Sequence, residues 1–184
     1  MIRIEQDPLF DEEAVCSRIQ NLWMQLQAAH IEEDLLPLKL YFSTDLYQRE
    51  ESQLRDAQRI GRIRQEVRPA ILNWNMTYEG VNRGREVLTV HMLTRSRPLE
   101  TKKESGATVA GGQETFYRED WTLSRPQGTQ TPKEGGAVTV HCPGCGAAMS
   151  MYKSAVCPFC RHMVRVPDFT WTVDNITRRR EPNP

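Results

Sequence analysis

Cys142-Pro143-Gly144-Cys145-Gly146, answered by Cys157-Pro158-Phe159-Cys160, is the stretch on which the reading of this chain turns. Each half is a C-x2-C, and eleven residues separate the two. One such turn holds two thiolates close enough to share a metal, and a matched pair supplies the four corners of a tetrahedron. Pro143 and Pro158 pre-set the turn after the first cysteine of each pair, and Gly146 provides left-handed backbone where the first turn closes. Arg161 stands at the equivalent place in the second turn, where glycine would be easier, so that knuckle is expected to carry slight strain. The pattern predicts one structural zinc on Cys142, Cys145, Cys157 and Cys160, in a ribbon over residues 138–166 with short strands at 138–140 and 163–166. Four thiolates close the coordination sphere and leave no position for a catalytic water, although spacing alone does not separate zinc from iron. Two disulfides would need an oxidising compartment, and a redox site would want a single C-x-x-C opening a helix.

Around the ribbon the pattern is that of strands, and before them of helices. Phe169, Trp171 and Val173 alternate as a last strand, and residues 178–184, with Arg178, Arg179 and Arg180, are expected as a flexible, solvated tail. Upstream, strands are predicted at 67–78, interrupted early by Pro69, at 86–94 and at 114–125. The turn at Val81 to Gly84 joins the first two; residues 98–112 and 126–136, rich in Gly, Ser, Thr, Lys and Pro, read as polar loops. Asp11 caps a helix whose buried stripe is Val15, Ile19, Leu22, Trp23, Leu26 and Ala29, with Glu12 and Glu13 favourable in its first turn. A second, shorter helix is expected from Glu32 with Pro37 in its first turn, and a third from Asp45 to about Arg59, capped by Ser43 or Thr44 and ended by Gly61. Cys16 is expected to be a reduced, half-buried filler.

The expected architecture is α+β: three helices on a curved four-stranded antiparallel sheet, with the ribbon inserted in the last hairpin. Residues 1–137 and 167–177 form the cone, 138–166 the ribbon and 178–184 the tail. Lysine plus arginine equal aspartate plus glutamate at 24 each, so no overall field recruits nucleic acid or membrane. The halves differ: residues 1–82 hold 9 basic and 14 acidic side chains, and residues 83–184 hold 15 and 10. No apolar run reaches the length of a membrane span, and Met1 to Pro8 is not a cationic patch leading into an apolar core. A cytoplasmic protein is expected.

Asp7 to Phe10, the helix from Ala14 to Ala29 with Trp23, the stretch from Leu35 to Leu46, the segment Glu119, Trp121, Thr122, Leu123 and Arg125, and CPGCGAAMS with CPFC followed by residues 168–176 support a family resemblance. The chain resembles bacterial members of the domain named after subunit 44 of the mitochondrial inner-membrane translocase, those with a zinc ribbon near the C-terminus. That resemblance implies a cone similar to nuclear transport factor 2, with a pocket between helices and sheet, and it implies binding rather than catalysis. The mitochondrial relative tethers an import motor to a membrane. Here the polar side of the first helix is acidic, with Glu12, Glu13, Glu32 and Glu33, where a helix lying on anionic lipid wants Lys and Arg.

The expected function is therefore a non-enzymatic, zinc-binding scaffold whose pocket takes a peptide, a lipid chain or a partner helix. Pocket candidates are Trp23, Leu26, Tyr117, Glu119, Trp121 and Trp171; Arg161, His162 and Arg165 are the ribbon's candidate partner contacts. Three alternatives stand beside it. A membrane tether lacks the charge pattern just described. For a nucleic-acid-binding ribbon, Lys153, Arg161 and Arg165 leave only weak attraction once a four-thiolate zinc is counted. Phe159 is expected to pack on the cone rather than serve as a stacking surface. An enzyme would draw on His91, Tyr117, Glu119 and Asp120, but two such groups must converge in a desolvated pocket, and His91 alternates to the outer face, opposite Leu88, Val90 and Met92.

Overall fold

The computed structural model describes residues 2–131, 139–141, 145–150, 157, 159–161 and 171–182. Helix α1, Glu12–Glu32, starts where the Asp11 carboxylate accepts from the N–H groups of Glu13 and Ala14 at 2.8 and 3.2 Å. It buries Cys16, Ile19, Leu22, Trp23, Leu26 and Ala29. Cys16 is fully buried rather than half-buried, and burial pushes its thiol up to about 11. The chain leaves α1 through left-handed Glu33 (φ 57°), and the expected second helix is only a 3-10 turn, Leu36–Leu38. Three residues with Pro37 at the start cannot nucleate more. Helix α2, Thr44–Arg59, is capped by Ser43, whose hydroxyl accepts from Leu46 N–H.

Strands β1 (Arg62–Asn82), β2 (Arg85–Lys102), β3 (Thr108–Gly111), β4 (Thr115–Pro126) and β7 (Thr172–Glu181) form one antiparallel sheet in the order β1-β2-β4-β7, with β3 continuing the line of β4 along β2. Strands β5 (Thr139–His141) and β6 (Ala148–Ser150) make a separate pair between β4 and β7 in chain order. Only the first of these two strands was anticipated; the second strand of the expected ribbon was placed at 163–166, which lies outside the described residues, as does Phe169.

Three expectations are corrected here. The first strand begins at Arg62 rather than at 67, and the interruption expected at Pro69 is present as a bulge between Val67 and Ala70, where Arg68 is left-handed (φ 50°). Further irregularities at 71–73 and 78–80 bend the same long strand, which gives the sheet its curvature. The loop expected at 98–112 is mostly strand: β2 continues through Pro98, whose carbonyl accepts from Gly112 N–H at 2.7 Å. Gly111 (φ 91°) permits that approach, since a Cβ there would sit 2.0 Å from the same carbonyl oxygen. Finally, residues 178–181 are not tail but the end of β7, paired with Phe116 to Glu119.

Both helices cover one face of the sheet, against Leu88, Val90, Met92, Trp121, Leu123 and Val173. Tyr41 O accepts from Val173 N–H and Val173 O from Ser43 N–H, each at 2.8 Å, so the link between the helices seals the outer edge of β7. Near the middle lies Glu119, 3% exposed. Its carboxylate accepts from Trp23 Nε1 (3.1 Å), Trp121 Nε1 (3.4 Å) and Thr94 Oγ1 (2.8 Å). Arg178 Nε is 3.5 Å away, but that guanidinium bonds foremost to Glu66 at 2.7 Å, so the neutral donors are Glu119's closest partners. Glu119→Leu strands two indole N–H groups, a hydroxyl and part of an arginine's compensation, and is expected to cost about 3–5 kcal/mol in urea unfolding. Trp23→Phe, which removes one donor, is expected to cost about 1–2 kcal/mol.

Candidate functional site

The pocket expected inside the cone is divided by its own residues. Trp23 and Trp121, 2% and 0% exposed, meet over the Glu119 carboxylate and fill the middle of the helix–sheet space. On one side of them lies a groove of about 350 Å³ lined by the first half of α1, by Tyr41 and by Leu123, Arg125, Thr131 and Trp171. On the other is a cavity of about 310 Å³ lined by Leu26, Gln27 and His30 of α1, by α2, and by Glu119 and Arg178 of the sheet.

The groove is the more apolar of the two. Val15, Leu22, Leu123 and Trp171 form its walls, and Ser17, Asn21 and Gln25 add polar groups from successive turns of α1. Its base is fixed by a buried ionic network. Arg125, 1% exposed, donates to Asp7 Oδ2 at 2.8 Å and to Glu86 Oε2 at 2.6 Å, and lies 4.4 Å from the centre of the Trp171 ring. Phe10 packs edge-on against the other side of this cluster, 6.2 Å from Trp171. Burial opposes ionisation of Asp7, yet hydrogen bonds from the Thr131 side chain and backbone, together with Arg125, outweigh it and hold the carboxyl below its ordinary value. The N-terminal segment and the chain after β4 are thereby clasped around the groove.

The sequence-derived candidates are distributed across these features. Trp171 lines the groove, while Leu26 and Glu119 line the polar cavity. Trp23 and Trp121 separate the two. Tyr117 lines neither, because its ring lies under the Arg178 guanidinium at 3.6 Å. Tyr41 and Arg125, which do line the groove, were not anticipated as site residues; their roles depend on contacts more than a hundred residues apart in sequence. His91 faces away from the helices, as its alternation predicts. There its Nδ1 is 2.7 Å from Asp120 Oδ1 and its Nε2 is 3.2 Å from Thr77 Oγ1.

Cys145, Cys157 and Cys160 place their sulfurs within 4.8 Å of one another, with Cys145 and Cys157 3.6 Å apart. A tetrahedral zinc with ~2.3 Å bonds to sulfur sets neighbouring thiolates about 3.8 Å apart, so this cluster can hold a metal ion. Gly146 (φ 71°) and Arg161 (φ 62°) occupy matching left-handed positions after each turn, and Arg161 N–H closes the second turn on Cys157 O at 2.9 Å. The strain anticipated at Arg161 is thus present in its backbone. Phe159 corrects an expectation: it is 75% exposed and does not pack on the cone. Arg161 is also exposed; Cys142, His162 and Arg165 lie outside the described residues.

Helices laid on one face of a bent antiparallel sheet, with clefts at the two ends of a filled interior, define a cone-shaped α+β module. The chain belongs to the Tim44-like domain family, whose model matches residues 3–133. Helices α1 and α2 and strands β1 to β4 all lie within that match. No curated protein matches the chain. Among the described residues no helix is long and apolar enough to cross a membrane.

Cobalt(II) added to the reduced protein is expected to give thiolate-to-metal absorption that Cys157→Ser abolishes. Cys145→Ser is expected to release the metal while leaving the helical circular dichroism largely intact. Loss of all helical signal in that variant would contradict a ribbon that folds apart from the cone.

Proposed function

We propose that this protein is a non-enzymatic partner-binding module, and that the groove between α1 and the Trp171 end of the sheet receives an apolar peptide segment of a protein partner. The observation that carries this reading is the composition of the groove: apolar walls from Val15, Leu22, Leu123 and Trp171 with hydrogen-bonding side chains from Ser17, Asn21 and Gln25 and one charge of each sign from Asp11 and Arg18. Apolar pockets fix where a peptide sits, and amides and hydroxyls at the edge serve its backbone. A lipid surface would be better served by a broadly basic rim, whereas here Asp11 and Arg18 both line the groove and Glu12 and Glu13 lie beside Asp11. Membership in the Tim44-like family supports binding to a protein or a membrane, and the rim favours the protein.

In the same proposal the cysteines hold one structural zinc, with Cys142 as fourth ligand, in a ribbon inserted before β7. A module of that size has too little apolar surface for a core of its own, so the metal supplies the folding energy. Arg161, which is exposed, is this ribbon's contact for a partner together with His162 and Arg165.

Peptides selected from a displayed random library against the whole protein are expected to be rich in apolar residues, and Val15→Glu is expected to weaken them about tenfold or more without changing the melting temperature greatly. Peptides that bind Val15→Glu equally well, or binding only to anionic vesicles, would contradict the assignment.

One observation favours a second reading. Asp120, His91 and Thr77 are linked in the order of a hydrolase relay, with Asp120 on Nδ1 and the hydroxyl on Nε2. Their half-exposed position on the outer face also fits a solvated cross-strand ladder beside Glu79, Thr89 and Thr122. Labelling of Thr77 by a fluorophosphonate, lost in His91→Ala, is the result that would favour the enzyme; no labelling is expected.

A further inference from the structure

The second cavity, on the far side of the Trp23–Trp121 layer, has features that the fold does not use. Glu66 and Glu119, two of its three glutamates, are taken up by Arg178 and by neutral donors. The third, Glu50, has only long ion pairs. Its side chain is 10% exposed, and among the described residues its carboxylate makes no hydrogen bond. The nearest basic groups, the imidazole of His30 (Nε2 at 3.7 Å) and the guanidinium of Arg49 (Nε at 3.8 Å), form ion-pair contacts beyond hydrogen-bond reach. Arg49 is instead held by Asn175 Oδ1 at 2.9 Å and by the Ile176 carbonyl at 3.3 Å. A nearly buried carboxyl held only by ion pairs beyond hydrogen-bond distance is weakly compensated for its burial. Burial raises the Glu50 carboxyl above its ordinary value and lowers the neighbouring His30 below its own, as expected where no strong partner compensates.

Arg64, on β1, lines the same cavity and is close enough to His30 to depress its protonation. Among the described residues it makes no hydrogen bond or ion pair. The cavity thus offers one carboxyl without a close donor and one exposed guanidinium that no carboxylate among the described residues pairs, both near His30. Its arginines (Arg49, Arg64, Arg178) equal its glutamates in number, so the ligand that fits carries no net charge. A volume of about 310 Å³ suits a small molecule rather than a chain.

We infer that this cavity binds a small zwitterion of the free α-amino-acid class, its ammonium donating to Glu50 and its carboxylate paired with Arg64. A lone anion would satisfy Arg64 and be repelled by Glu50. A lone cation would satisfy Glu50 and be repelled by Arg64 and Arg49. The neutral imidazole of His30 is placed to accept a second hydrogen from the ammonium, and the amides of Gln27, Gln53 and Gln65 line the remaining wall. The site shares no lining residue with the groove, so it stands or falls independently of partner binding there.

The test is a thermal-shift screen of the whole protein against the common free L-α-amino acids at about 10 mM, followed by calorimetry on those that shift the melt. At least one is expected to bind. Its N-acetyl and carboxamide derivatives, each lacking one charge, are expected to bind about tenfold more weakly or worse. Glu50→Gln and Arg64→Met are expected to weaken the free amino acid to the same degree, and Arg64, being exposed, is the variant whose folding is not in question. No response to any free amino acid, blocked forms that bind as well as the free one, or full binding by Arg64→Met would each overturn the assignment. Val15→Glu is expected to leave this binding unchanged.

Discussion

The Glu119 carboxylate is the point at which this fold is tied together. It receives the indole N–H of α1 through Trp23, that of its own strand through Trp121, and a hydroxyl from β2 through Thr94. Arg178 adds β7, and passes the connection on to β1 through Glu66. A carboxylate at 3% exposure is tolerated only when its lone pairs are occupied, and the two large aromatic rings that occupy them also fill the centre of the cone. The interaction that ties α1 to the sheet is therefore the one that fills the middle of the interior. What remains are two clefts of different chemistry, apolar at the Trp171 end and charged at the Arg178 end.

That division gives the functional reading its shape. The apolar groove is bounded by rigid parts: the first half of α1 and the end of β4, clasped by Asp7, Arg125 and Glu86. Preformed walls of this kind lose little freedom when a partner docks. The charged cavity instead has unmet polar groups, which specify a ligand by charge rather than by area. The thiolate cluster sits in the chain between β4 and β7, the two strands that contribute Trp121, Glu119 and Arg178 to the hub. Metal held there would constrain that connection.

Much of this was legible in the sequence because its causes are local. The stripe of α1, the Asp11 and Ser43 caps, the Val81 to Gly84 turn and the turn from Cys157 to Cys160 each depend on neighbours within a few residues. Even Arg161 declared its strain, since the position after a knuckle demands a left-handed backbone. The misreadings share the opposite cause. Pro98 and the glycines near 111 looked like loop, yet Gly111 allows the chain to fold back on the Pro98 carbonyl and continue the sheet. Arg178 to Arg180 looked like a frayed tail, because the carboxylates that anchor Arg178 lie 59 and 112 positions earlier. Glu119 was read as a residue that could point into a pocket, and it does point inward. That its donors are two tryptophans which then close the interior is a tertiary fact no window of sequence contains.

The most direct test of this account is the exchange behaviour of the indole N–H protons by NMR, with and without a groove-binding peptide. The account predicts that the Trp23 and Trp121 indoles are strongly protected from solvent and keep their resonances when peptide is added, whereas the Trp171 indole shifts. Rapid exchange at Trp23 and Trp121, or large shifts of both on peptide binding, would mean that the interior is open and that the cone holds one continuous pocket after all.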